Sequence, residues 1–320
     1  MDRDERRVGR HAWQNEHPMG QLFRSVVVSL VIATAADAGA QDVAALAPVV
    51  GIGSAYRTTA NLTYLKLGSF ESTLDVYQNR TATAPSPTLI WIHGGNWIGG
   101  SKEASLLTLL PFFQMGWNVV NVDYRLLQQA PAPAAAEDCH CALRWVYEHA
   151  KEYNIDASRV VVSGNSAGGH LALLAAMAPL SAGLDTQCPG AADLKVAAVI
   201  NWYGFPNLLD VLTGQTANTA VNNWIGPRAD RQDLALKLSP SSYVRASSPP
   251  VLTIHGNQDP TSPYEYAVSF HAQLTRAGVV NELLTVPNGK HGGFSDVETL
   301  RIYETIRAFL TRTVPPRDSR

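Results

Sequence analysis

Charge is scarce in this chain. Asp, Glu, Lys and Arg make up 16% of its 320 residues, and the two signs nearly cancel, 25 basic against 27 acidic. With 46% hydrophobic residues there is material for a large core, which excludes a disordered polyelectrolyte. No basic field is present to draw nucleic acid. Three cysteines, Cys139, Cys141 and Cys188, are too few for a disulfide-built scaffold. They allow one bridge and leave one thiol, and the count does not say which pair forms. Cys139-His140-Cys141 falls in a helical pattern, where adjacent residues point in different directions. No second ligand pair lies nearby, so no metal site is expected. No apolar run is long enough to cross a bilayer: residues 25–36, SVVVSLVIATAA, reach about a dozen residues where about 20 are needed. Stable membrane insertion is therefore not expected. Internal repeats and low-complexity blocks are also missing.

That short apolar run has a different meaning. Arg24 precedes it, and Ala38 and Ala40 follow in small-x-small spacing. The combination predicts a secretory signal peptide cut after Ala40, and hence a secreted or periplasmic protein. A buried N-terminal helix is the alternative. Counted from Met1 the charged leader is long; a start at Met19 would give one of ordinary shape. Residues 41–320 are expected to form a single domain.

Two alternating runs, NLTYLKLG and STLDVYQN, predict an antiparallel hairpin. Unbroken apolar runs follow: PTLIWIHGG, WNVVNVDYRL, RVVVSGNSAGG, VAAVINWYG, PPVLTIHGNQD and finally VNELLTVPNGKH. Helical patterns separate them. Continuous apolar strands alternating with helices predict an α/β fold, a mostly parallel sheet of about eight strands covered on both faces. Ser262-Pro263-Tyr264-Glu265 and Ser295-Asp296-Val297-Glu298 read as capping boxes at two helix starts. Residues 204–246 are more than a connection between two core strands needs, and predict a small helical cap.

Reactive groups in such sheets collect at the carboxyl ends of the strands. Reading those ends gives His93-Gly94-Gly95-Asn96-Trp97, then Asp123-Tyr124-Arg125, then Ser166, Asp259 and His291. Ser166 sits inside Gly164-Asn165-Ser166-Ala167-Gly168. A serine hydroxyl needs a neighbouring base to act as a nucleophile at neutral pH. A histidine can take and return its proton, and a carboxylate can orient that histidine. A serine on a strand-to-helix turn must adopt a strained backbone, which requires small neighbours. His255 precedes the acid and reads as a packed residue supporting the loop. His170 reads as facing core or surface. Asp123 and Arg125 are expected to share a structural ion-pair network. Trp97 and Trp224 read as core rather than pocket.

In this order the motifs resemble the α/β-hydrolase superfamily, more narrowly hormone-sensitive-lipase-like and BD-FAE-type carboxylesterases. IHGGNWIGGSK, VDYRL, the stretch around GNSAGGH and PPVLTIHGNQD carry the resemblance, over roughly residues 60 to 312. It implies Ser166 as nucleophile, Asp259 as orienting acid and His291 as general base. It also implies an oxyanion hole made by the backbone N–H groups of Gly95, Asn96 and Ala167. Asn96 stands where the family more often has glycine; a backbone donor survives that change. The implied reaction is hydrolysis of a small carboxylic ester, short-chain or aryl, through an acyl-enzyme. It requires no cofactor and no metal. Edge strands often pair in this family, so a homodimer is one expectation. An arylformamidase-like amide hydrolase is the competing enzyme reading, because His-Gly-Gly-x-Trp is similar to that family's loop. A catalytically inactive binding module on the same fold is the non-enzyme reading.

Overall fold

The computed structural model describes residues 49–190, 194–213 and 218–315. The predicted leader and its cleavage site lie outside the described residues. The chain divides into two compact units, residues 1–54 and 55–320. Residues 49–54 of the first are helical; all elements below belong to the second.

Its strands are β1 (Tyr56–Leu67), β2 (Phe70–Asn79), β3 (Ser86–Ile92), β4 (Asn118–Val122), β5 (Ile155–Asn165), β6 (Ala198–Trp202), β7 (Val251–Gly256) and β8 (Asn281–Val286). They form one sheet in the order β1-β2-β4-β3-β5-β6-β7-β8. β1 and β2 make the predicted antiparallel hairpin, β2 joins β4 antiparallel, and every later pairing is parallel. The helices are α1 (Leu110–Gln114), α2 (Ala134–Glu148), α3 (Ala167–Met177), α4 (Leu208–Thr213), α5 (Thr219–Ile225), α6 (Arg231–Lys237), α7 (Tyr264–Arg276) and α8 (Asp296–Thr313).

The unbroken apolar strands are explained by burial on both faces. Ile90, Ile92, Val120, Val162, Val199 and Val251 join one large core with residues of α2, α3 and α7. The alternate residues, such as Leu89, Trp91, Val119, Ile200 and Ile254, are equally buried. The period-two rule turns them to the opposite face, where α1 packs on β4 and α8 packs on β6, β7 and β8. Within residues 204–246 lie α4, α5, α6 and a 3₁₀ turn at Pro240–Tyr243. Leu208, Val211, Val221, Trp224 and Leu234 from this stretch join the large core.

Three local readings resolve here. Half of the capping box at Ser295 forms: its hydroxyl accepts the Glu298 N–H at 3.3 Å, while the Glu298 carboxylate accepts Arg301 Nε–H at 3.0 Å rather than the Ser295 N–H. The one expected at Ser262 does not: α7 begins at Tyr264 without a side-chain cap. The Ser262 N–H is taken by Asp259 Oδ1 at 2.9 Å instead. Cys141 and Cys188 form the disulfide, and Cys139 stays a buried thiol. Asp123 and Arg125 do not share a network. Arg125 donates to Asp138 at 2.6 and 2.9 Å and sits 3.4 Å from Glu137. Asp123 accepts the Lys102 backbone N–H at 2.7 Å and approaches Lys102 Nζ and His93 at 3.7 and 3.5 Å. Their side chains, two positions apart in sequence, pair with different partners.

Candidate active site

Ser166 stands between β5 and α3 with φ 55° and ψ −120°, a backbone region that costs a non-glycine residue free energy unless its surroundings hold it. They do. The Ser166 N–H donates to the Trp202 carbonyl at 2.8 Å, and the Ser166 carbonyl accepts the His170 N–H at 3.0 Å. The flanking glycines are steric requirements. A Cβ on Gly164 would lie 2.4 Å from the Ile92 carbonyl oxygen, and one on Gly168 would lie 2.1 Å from the same atom. The turn is thus wedged against the end of β3, leaving Ser166 6% exposed.

Two strands further along the sheet, the turn after β7 supplies the acid. Asp259 Oδ1 accepts backbone N–H groups from Thr261 and Ser262 at 2.8 and 2.9 Å. Its other oxygen, Oδ2, accepts His291 Nδ1–H at 2.7 Å. His291 Nε2 then faces Ser166 Oγ at 2.8 Å. Burial opposes the charge on Asp259, but hydrogen bonds from His255, His291 and the Ser262 N–H outweigh it and hold the carboxyl well below the usual range. An ionised carboxylate must accept, so His291 carries its proton on Nδ1 and presents the Nε2 lone pair to the serine hydroxyl. The three groups predicted at separate strand ends therefore meet in one hydrogen-bonded row.

The loop after β3 forms the facing wall. Gly95 has φ 122°, which only glycine adopts readily, and Asn96 and Trp97 have φ 58° and 60°. For a tryptophan this is unusual, and packing holds it there. Trp97 is fully buried, stacked on Trp224 at 4.6 Å and edge-on to His170 at 5.4 Å. Among the described residues, the Gly95 and Asn96 N–H groups have no acceptor. Ala167 is the first residue of α3, where the N–H has no partner within the helix and the dipole favours negative charge. These are the three donors expected at an oxyanion hole.

Several supporting residues escaped the sequence reading. Asn165 Oδ1 accepts the Gly94 N–H at 3.0 Å, tying the loop after β3 to the residue before the serine. Tyr203 follows β6 with φ 42° and packs its ring on His291, centroids 4.8 Å apart. Partial burial raises the pKa of its hydroxyl, with a hydrogen bond from Asn165 pulling the other way. A strand-end search that included polar residues after β6 would have found Tyr203. His255 does support the loop, as expected: Nε2–H donates to the Ser262 carbonyl at 2.7 Å and lies 3.3 Å from Asp259 Oδ2. His170 faces the core, with Nε2 on the Leu238 carbonyl at 2.7 Å. His93 stacks on Tyr124 at 4.4 Å and places Nδ1 2.7 Å from the Gly94 carbonyl.

Residues 74–274 match the family model described as BD-FAE. The chain belongs to the BD-FAE family. Relatives by sequence include Esterase LipQ of Mycobacterium tuberculosis, 30% identical over 76% of this chain and 60% of that protein. Esterase LipC of the same organism is 30% identical over 68% of this chain and 56% of that protein. The chain spans between about half and two thirds of the length of these relatives. By structure, an esterase from Thermogutta terrifontis superposes with a TM-score of 0.68 at 24% identity, over 83% of this chain and 95% of that one. The truncated form of a carbohydrate esterase from gut microbiota gives 0.66 at 25% identity, over 80% and 98%. The fold of this BD-FAE chain is the α/β-hydrolase fold, as its motif order implied.

Proposed function

We propose that this protein hydrolyses carboxylic esters through a covalent acyl-enzyme. The observation that carries the reading is the continuous row from Ser166 Oγ to His291 Nε2, 2.8 Å, and from His291 Nδ1 to Asp259 Oδ2, 2.7 Å. Ser166 attacks the ester carbonyl while His291 takes the hydroxyl proton on Nε2. Asp259 fixes the ring's orientation and stabilises the imidazolium that forms. Gly95, Asn96 and Ala167 donate N–H groups to the developing oxyanion. His291 then gives its proton to the departing alkoxide, completing the acyl-enzyme. A water enters, loses a proton to His291 and attacks the acyl carbon; the acid leaves and Ser166 recovers its proton. No step calls on a cofactor or a metal.

The names of the sequence relatives, esterases and carboxylic ester hydrolases, support an ester over the amide reading. Hydrolysis of p-nitrophenyl acetate tests the proposal, with N-formylkynurenine beside it for the amide alternative. Ser166→Ala should lose ester turnover by a factor of about 10⁴ or more, and full activity in that variant would refute the mechanism. We also propose export. The Cys141–Cys188 bridge supports it, because disulfides persist in oxidising compartments. Peptide mass mapping of protein recovered from outside the cytoplasm should begin at Gln41; recovery only from the cytoplasm would overturn it.

A further inference from the structure

A cleft of about 770 Å³ opens beside the hydrogen-bonded row, on the sheet face that α1 and α8 cover. On the side of that row it is walled by Gly94 and Asn165, next to the oxyanion loop and the serine, and by Gly292 and Gly293, next to His291. From there it passes Trp202, Tyr203 and Tyr303 and reaches the surface at Leu107 and Leu300, which are 78% and 68% exposed. The Tyr303 hydroxyl donates to the Thr108 carbonyl at 2.7 Å, joining α8 to the segment that forms the opposite wall.

Two features define what it can hold. Among the described residues no Asp, Glu, Lys or Arg lines it, and most of its lining surface is apolar. The one lining histidine, His93, has its pKa lowered by burial, which disfavours a cation there, and a charged substituent would lose its hydration without a partner. Its volume also falls in the range of sites for drug-sized ligands, about 300–1,000 Å³, so an acetyl group would leave most of it open to water. Two exposed leucines at its outer end extend the apolar path rather than closing it.

We infer that this cleft binds an uncharged apolar arm of the ester, a medium-length alkyl chain, running from the reacting carbon towards Leu107 and Leu300. The inference rests on the ester-hydrolase reading and extends the short-chain and aryl expectation. Burial of alkyl carbon from water supplies the affinity.

The test uses two series on the full chain. p-Nitrophenyl acetate, butyrate, octanoate and dodecanoate vary the acyl arm; methyl, butyl and octyl acetates vary the alcohol arm. In one series kcat/KM should rise at least about tenfold from the shortest member to the octyl or octanoyl member. Leu300→Arg and Leu107→Glu, both at the exposed end, should remove most of that gain and leave acetate turnover unchanged. A second readout needs no catalysis: Ser166→Ala protein should bind octanamide more tightly than acetamide in calorimetry, and Leu300→Arg should weaken octanamide at least about fivefold. If neither series favours the longer chain, or the rim variants alter short and long substrates equally, the inference fails while ester hydrolysis stands. If no ester is turned over, the octanamide measurement still decides the cleft.

Discussion

An alanine at position 168 would place its Cβ 2.1 Å from the Ile92 carbonyl oxygen and 2.5 Å from that of His93. Carbon–oxygen contacts ordinarily stop near 3.3 Å, so the backbone must open by about 1 Å. Both oxygens belong to the main chain, and no rotamer change relieves the contact. The first turn of α3 must move away from the end of β3, carrying Ser166 and the Ala167 N–H with it. Overpacking of this kind costs about 2 kcal/mol, which for a domain of this size lowers Tm by about 4–8 °C. The effect on rate should be larger, because a misplacement of about 1 Å costs about a hundredfold. Differential scanning fluorimetry and kcat/KM on p-nitrophenyl acetate measure both. Gly99→Ala is the control, since a Cβ there meets no atom within 4 Å. Wild-type Tm and activity within twofold for Gly168→Ala would refute the wedged-turn argument.

Other outcomes follow from single contacts. Asn165→Ala removes the acceptor for the Gly94 N–H; kcat should fall about tenfold or more with KM little changed, and a rise in KM alone would contradict a positioning role. His170 is wholly buried, and burial lowers its pKa to about 4, against about 6.5 unfolded. Between those values the unfolded chain holds a proton that the native state does not. Stability is therefore full above about pH 6.5 and falls towards pH 4, by about 3 kcal/mol from this group. The slope of Tm against pH in that window should flatten in His170→Gln, and an unchanged slope would assign the loss elsewhere. His271, lowered to about 4 chiefly by burial, leaves a residual slope. Cys141→Ser opens a link spanning 47 residues; it should cost about 3 kcal/mol and lower Tm by about 6–12 °C, with room-temperature activity retained. A Tm within 2 °C of wild type would show the link contributes little.

The sheet was legible because burial on both faces writes itself into sequence as uninterrupted Val and Ile runs, and strand ends could be counted. The serine, acid and histidine were legible for the same reason: each follows a strand, and a carboxylate and an imidazole after β7 and β8 have few apolar roles. Less legible was everything that depends on distance across the fold. Ser262 carries a capping signature, but a carboxylate three residues earlier reaches its N–H first, and the turn at Asp259 replaces the cap. Asp123 and Arg125 are near neighbours in sequence, yet Lys102 and Asp138 pair with them separately. Asn165 and Tyr203 are ordinary polar residues until folding places one under Gly94 and the other against His291. The pairing of Cys141 rather than Cys139 depends on which face of α2 meets the segment at Cys188, and the count of three cannot reveal that.

We propose above all that His291 and Asp259 activate the Ser166 hydroxyl. A fluorophosphonate reacts with such a hydroxyl and hardly at all with an ordinary serine, and intact-protein and peptide mass spectrometry locate the adduct. The prediction is one adduct per chain, on Ser166, formed at least about a hundredfold more slowly in His291→Ala. Labelling at another residue, no labelling of folded protein, or an undiminished rate without His291 would contradict it.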